Sequence, residues 1–167
     1  MHTGGEEFLV LGGVFQDEHG DYPVGSYVRN PPQSRHTPRS ANGCVILVKL
    51  WQFDLNDRTQ VRSDINKLGR VRDATRAGVA VTPLYADQYE TVQIEQWLPG
   101  AAVTVDASGG AELFVLAGGA GSKAVTLRQG SWLRLPLGGD SELVAGPDGI
   151  TLWLKTGHLR SVQGPAV

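Results

Sequence analysis

The chain has 167 residues, 41% of them hydrophobic and 19% charged, with a formal net charge of −2 and a pI near 6.1. That length carries one or two small domains with a real apolar core, and the composition is that of a folded protein rather than a disordered or fibrous one. The near-balanced charge argues against a nucleic-acid partner, no apolar run approaches the ~18 residues of a membrane helix, and a lone cysteine, Cys44, rules out an intrachain disulfide.

The opening Met1-His2-Thr3-Gly4-Gly5-Glu6-Glu7 is acidic and polar and lacks the character of a signal peptide. With the cysteine usage, this makes a cytoplasmic location the expectation. Downstream, short apolar runs alternate with Gly, Pro, Asn and Asp clusters, and none extends to a convincing amphipathic helix. Strands are predicted over 8–11, 44–50, 79–84, 92–97, 113–116 and 150–154. A hairpin loop is predicted over 16–21 and a tight turn over Pro31-Pro32-Gln33-Ser34. Cys44 opens the second run and reads as a small buried hydrophobe. The basic residues from Arg58 to Arg76 are interleaved with Asp57, Asp64 and Asp73 and read as a solvated face. The pattern is that of an all-β sandwich or barrel.

An internal repeat organises the chain. Shifted by 105 residues, Gly4-Gly5 falls on Gly109-Gly110, Glu7 on Glu112, Val10-Leu11 on Val115-Leu116 and Gly13 on Gly118. Gly25-Ser26 falls on Gly130-Ser131, Arg29 on Arg134 and Pro31 on Pro136; after one insertion, Gly43 meets Gly149 and Lys49 meets Lys155. Two copies of one β unit follow, at 1–57 and 88–159, with a connector of strand character at 58–87 and a tail at 160–167. The second copy has a lead-in, 88–106, that the first lacks. An incomplete first barrel leaves unpaired strand edges. A shortened start, strands donated from 58–87, or strands from a second chain would each account for it.

Two imidazoles and a carboxylate stand out in the first copy: His2, Glu6 and His36. This donor set suits Zn, Fe, Ni or Mn. Even spacing along a strand places His2 and Glu6 on one face, and His36 follows a tight turn from which it can close the set. The second copy has Ala107, Ala111 and Ser141 at these positions, so its glycines and core persist without the ligands. Glu7 points to the other face, and its persistence as Glu112 marks it as structural, as does the matching of Arg29 and Arg134. His19 belongs to a polar loop, His158 lies near the end of the second copy, and Phe8, Tyr27 and Trp51 read as ordinary aromatics. No Ser-His-Asp arrangement, phosphate loop or dinucleotide fingerprint is present.

These stretches resemble the two cupin motifs. His2, Glu6 and Gly13 fit the end of the first; Gly25, Pro31 and His36 fit the second, with Gln33 in place of its usual glycine. The wording from Gly4 through Lys49 resembles the ChrR-type cupin-like domain found in anti-sigma factors and in stand-alone proteins. The resemblance implies an all-β double-stranded β-helix (jelly-roll) built as a bicupin. Its first repeat would lack its N-terminal strands and bind one divalent metal ion through His2, Glu6 and His36. The family's first histidine would fall in front of Met1. The resemblance also implies a choice of functions. One is a metal-dependent dioxygenase acting on small diketone-like or carbonyl compounds. The other is a non-enzymatic sensor module related to ChrR-type anti-sigma factors, whose separate His-Cys-Cys zinc domain this chain cannot supply. A small-molecule ligand and a homodimer are the expected partners.

Overall fold

In the computed structural model, which describes residues 2–162, the chain divides into two units, one built on the residues up to Leu68 and the other on Gly69–Arg160. The described residues are almost wholly strand and turn, as the short runs and the frequent Gly and Pro require. Unit 1 contains β1 (Glu6–Asp17), β2 (Gly20–Pro23), β3 (Ser26–Asn30), β4 (Cys44–Leu50) and β5 (Val61–Asp64). β1 is its centre. It pairs antiparallel with β2, β3 and β4, and β5 adds to the far edge of β3.

Unit 2 contains β6 (Val71–Arg72), β7 (Val79–Ala86), β8 (Thr91–Trp97), β9 (Ala102–Val105), β10 (Ala111–Gly121), β11 (Thr126–Arg128), β12 (Trp132–Leu135) and β13 (Ser141–Thr156), followed by a 3-10 turn at His158–Arg160. Here β13 is the hub, pairing with β10, β8 and β9.

The pairings of β1 with β3 and β4 match those of β10 with β12 and β13. Glu7 sits opposite Arg29 and Lys49, just as Glu112 sits opposite Arg134 and Lys155. The ladder slips between Val10 and Gly12 in one copy and between Val115 and Ala117 in the other. Gly13 and Gly118 adopt φ of 68° and 70°, and a Cβ on either would come within 2.2 Å of the carbonyl oxygen of Gly43 or Gly149. Glycine is therefore required twice, for the left-handed backbone and for the close crossing of chains.

The interiors also correspond. Phe8, Val10, Phe15, Tyr22 and Val28 form the buried cluster of unit 1, and Leu113, Val115, Ala120 and Leu127 occupy the matching places in unit 2. Cys44 and Ile46 are partly buried against the first cluster. Unit 2 has an additional layer: Trp97, Val103 and Val105 from its lead-in strands complete its core. Among the described residues, β4 pairs only with β1, whereas β13, its equivalent, is covered on the other edge by β8. Val48 is accordingly 40% exposed where its counterpart Leu154 is 4% exposed.

The stretch 58–87 is fully engaged. β5 joins unit 1, but on the β3 edge and not on the open β4 edge, while β6 and β7 extend the sheet of unit 2. Its basic residues are only partly a solvated face. Arg62 donates to Tyr22, and Arg76 makes a forked pair with the fully buried Glu95, which also accepts from Gln93 and Trp97. Of the expected tail, 163–167 lies outside the described residues.

Candidate metal centre

The structure brings His2, Glu6 and His36 together, with one potential ligand atom of each lying within 4.8 Å of the others. Glu6 opens β1. His2 is not on that strand. It is carried over by Gly4 and Gly5 and held by two backbone hydrogen bonds, from its own N–H to the Ser34 carbonyl (2.8 Å) and from the Gln33 N–H to its carbonyl (2.8 Å). His2 and Glu6 thus meet through this loop pairing rather than through strand alternation. Gly4 and Gly5 are obligatory for the path, because a Cβ on either would strike the rings of Trp51 or Phe53.

The second turn delivers His36. Within it Gln33 has φ of 72°, the left-handed backbone for which the corresponding cupin position carries glycine. His36 is 3% exposed, its ring lies 4.8 Å from that of His2 and 5.7 Å from that of Phe15, and so it forms the wall between the site and the aromatic core. His2 and Glu6 keep 19% and 12% exposure, which leaves the site open to small solutes.

The protonation pattern is informative. Nδ1 of His36 lies 3.0 Å from Oδ2 of Asp17. Burial opposes ionisation of Asp17, but hydrogen bonds from the His19 N–H, His36 and Tyr22 outweigh it and hold the carboxyl below its ordinary value of 3.8. An ionised carboxylate only accepts, so Nδ1 of His36 carries the proton. In the neutral ring Nε2 is then a lone pair, and it lies 3.0 Å from Oε2 of Glu6 without hydrogen-bond geometry. Nε2 of His2 lies 3.6 Å from the same oxygen and is likewise buried without a partner among the described residues. Burial pushes the His2 imidazole below 6.5; Glu6 opposes this and His36 reinforces it. Two unpartnered imidazole nitrogens and one carboxylate oxygen therefore converge on one point. A divalent cation would satisfy all three atoms together.

Two groups around the site were not legible in the sequence. Asp17, which reads as part of a hairpin loop, is the end residue of β1 and supports His36. Asn30 donates to Oε2 of Glu6 at 3.2 Å and itself accepts from Gln60 at 3.1 Å. Plain alternation from Glu6 would put Asp17 on the face of Glu7; the slip between Val10 and Gly12 reverses the phase, so that Phe15 joins Phe8 and Val10 in the core and Asp17 follows it.

Glu7 faces away from the site and accepts from Tyr27 at 2.6 Å. Arg29 is buried over the Phe53 ring and paired with Asp57. His19 is an exposed turn residue, and His158 is buried beside Glu112. In unit 2, Ala107 and Ala111 are fully buried in the apolar cluster, so the ligand positions there have become core.

Residues 1–54 match the family described as the ChrR cupin-like domain. No curated protein matches the chain. Among solved structures, a Nostoc punctiforme protein provisionally described as a dioxygenase superposes with a TM-score of 0.74 at 17% identity, covering 98% of this chain and 67% of that protein. A cupin 2 conserved barrel domain protein from Leptotrichia buccalis gives 0.63 at 12% identity, over 92% and 74% of the two chains. A Methylibium petroleiphilum protein provisionally described as an acetylacetone dioxygenase gives 0.53 at 12% identity, over 60% and 78%. At these identities the likeness establishes a shared fold.

Proposed function

We propose that this chain, a cupin-fold protein whose residues 1–54 match the ChrR cupin-like domain family, binds one divalent cation through His2, Glu6 and His36 and acts as a metal-dependent dioxygenase on small diketone-like or carbonyl compounds. The observation that carries the metal reading is the convergence of two unpartnered imidazole nitrogens on one carboxylate oxygen. Zn, Fe, Ni and Mn all suit this donor set, and the bound ion supplies a Lewis acid with open coordination positions. The residues divide the remaining work. Asp17 fixes the tautomer of His36, Asn30 orients Glu6, and the Phe15 ring keeps the inner side of the site dry. The likeness to two provisionally described dioxygenases supports the choice of reaction. Oxygen uptake by the Fe(II)-loaded protein with acetylacetone and related diketones tests it. Uptake that disappears in Glu6→Gln is expected; no uptake with any of the four metals overturns the enzymatic reading.

A second reading, a sensor module, is favoured by the family match itself. In that case metal or ligand occupancy is read by a partner protein, and capture of a sigma factor by the metal-loaded chain supports it. Either reading accommodates a homodimer. The open β4 edge, with Val45, Val48 and Leu50 exposed, supports that assembly, and a solution mass of twice 17.9 kDa is its signature.

A further inference from the structure

The metal ligands are not held by the cupin-like segment alone. Two hydrogen-bond relays lead outward from them, and both end on the segment that runs into β5, beyond the residues the family matches. In the first, Asp17 Oδ2 takes the proton-bearing Nδ1 of His36 at 3.0 Å, Tyr22 donates to Asp17 Oδ1 at 3.2 Å, and Arg62 Nε donates to the Tyr22 hydroxyl at 3.0 Å. In the second, Asn30 Nδ2 donates to Glu6 at 3.2 Å, and Gln60 Nε2 donates to Asn30 Oδ1 at 3.1 Å. Asp17, Tyr22 and Asn30 are all buried, at 2%, 7% and 3% exposure, so the inner bonds of both relays are not exchanged freely with water, while Gln60 and Arg62 at their outer ends are exposed.

The second unit provides the control. Where unit 1 has Asp17, Tyr22 and Asn30, the repeat places Ser122, Leu127 and Leu135. The relay residues have been replaced in the same copy that carries Ala107 and Ala111 in place of ligands. Glu7, Arg29 and Lys49, whose roles are structural, persist there as Glu112, Arg134 and Lys155. Residues needed only for folding would follow the second pattern, not the first.

We infer that Asp17, Tyr22 and Asn30 are positioning residues for the metal ligands, and that Gln60 and Arg62 anchor their two relays, so that β5 is an accessory strand of the metal site. This rests on the metal-binding reading of His2, Glu6 and His36. Outer partners of ligating histidines fix the tautomer and the ring orientation, and their loss weakens metal binding by ~10–100-fold.

The test is Zn²⁺ and Co²⁺ titration of wild type, Asp17→Asn, Tyr22→Phe, Arg62→Ala and Gln60→Ala, with far-UV circular dichroism as the folding control. The ¹⁵N shifts of His36 in the metal-free protein report the tautomer separately. Asp17→Asn is expected to lose ~10–100-fold in affinity and to release His36 from the Nδ1–H tautomer. Tyr22→Phe keeps the ring in the aromatic cluster and is expected to weaken binding in the same direction. Arg62→Ala weakens it in wild type but adds nothing in the Asp17→Asn background, because the two act in series. Folded Asp17→Asn or Tyr22→Phe proteins with wild-type affinity and an unchanged His36 tautomer overturn the inference. So do losses from Arg62→Ala and Asp17→Asn that simply multiply. A wild-type protein that binds neither metal fails the reading of the site itself and takes the relays with it, a result distinguishable from failure of the variants alone.

Discussion

His36 lies between two carboxylates, and their roles differ. Asp17 accepts a hydrogen bond from its Nδ1–H, while Glu6 faces its Nε2 together with Nε2 of His2. The three candidate residues were readable in the sequence as a set, because two histidines and a glutamate occur in one repeat and alanines and a serine in the other, and the structure brings them together. Asp17, Asn30 and Gln60 were not, because their function depends on which side chains folding places beside them. Gln33 is a second residue whose meaning needed the backbone. The sequence shows only a departure from a glycine pattern; the structure shows φ of 72° at that place. A left-handed residue with a side chain costs roughly 1–2 kcal/mol. Gln33→Gly is therefore expected to raise the stability of the protein by about 1 kcal/mol in urea denaturation while leaving metal affinity unchanged.

At the scale of elements, the repeated pair Gly13 and Gly118 turns out to mark a chain crossing in both copies. Gly13→Ala and Gly118→Ala each place a Cβ against a backbone oxygen that cannot move aside cheaply. Each is expected to cost about 2–4 kcal/mol in denaturant unfolding, in unit 1 and unit 2 respectively. The strands over 44–50 and 92–97 were legible as apolar runs. β2, β3, β5, β9, β11 and β12 were not, since three to five residues leave too short a pattern to recognise. The turn before β7 carries a measurable pH signature. Asp73 is held far below the ordinary 3.8 by hydrogen bonds from the Thr75 backbone and hydroxyl and from Arg76. A folded-state value lowered in this way gives stability that is fully present above pH 3.8 and lost as the pH falls through the folded value. The stability difference between wild type and Asp73→Asn is thus expected to be constant from pH 7 to about 5 and to shrink steadily in more acid solution.

For the whole molecule, the all-β class and the matching of Gly13, Arg29 and Lys49 with Gly118, Arg134 and Lys155 were visible from residue spacing. The pairing of β5 with β3 was not, because a polar strand of this kind is recruited by hydrogen bonding and not by burial. Each unit has its own core, and the proposed ligands belong to unit 1 alone. Metal binding is therefore expected to raise amide hydrogen-exchange protection in β1, β3 and β5 and to leave β8, β10 and β13 unchanged, since ligand binding stabilises the state it selects. The most direct test of the central claim is the metal stoichiometry of protein purified without chelator, measured by elemental analysis beside folded Glu6→Gln and His36→Ala variants. One divalent ion per wild-type chain and none in either variant is the expected result; a metal-free wild type that takes up no ion on reconstitution, or variants that bind as the wild type does, would contradict metal binding by these residues.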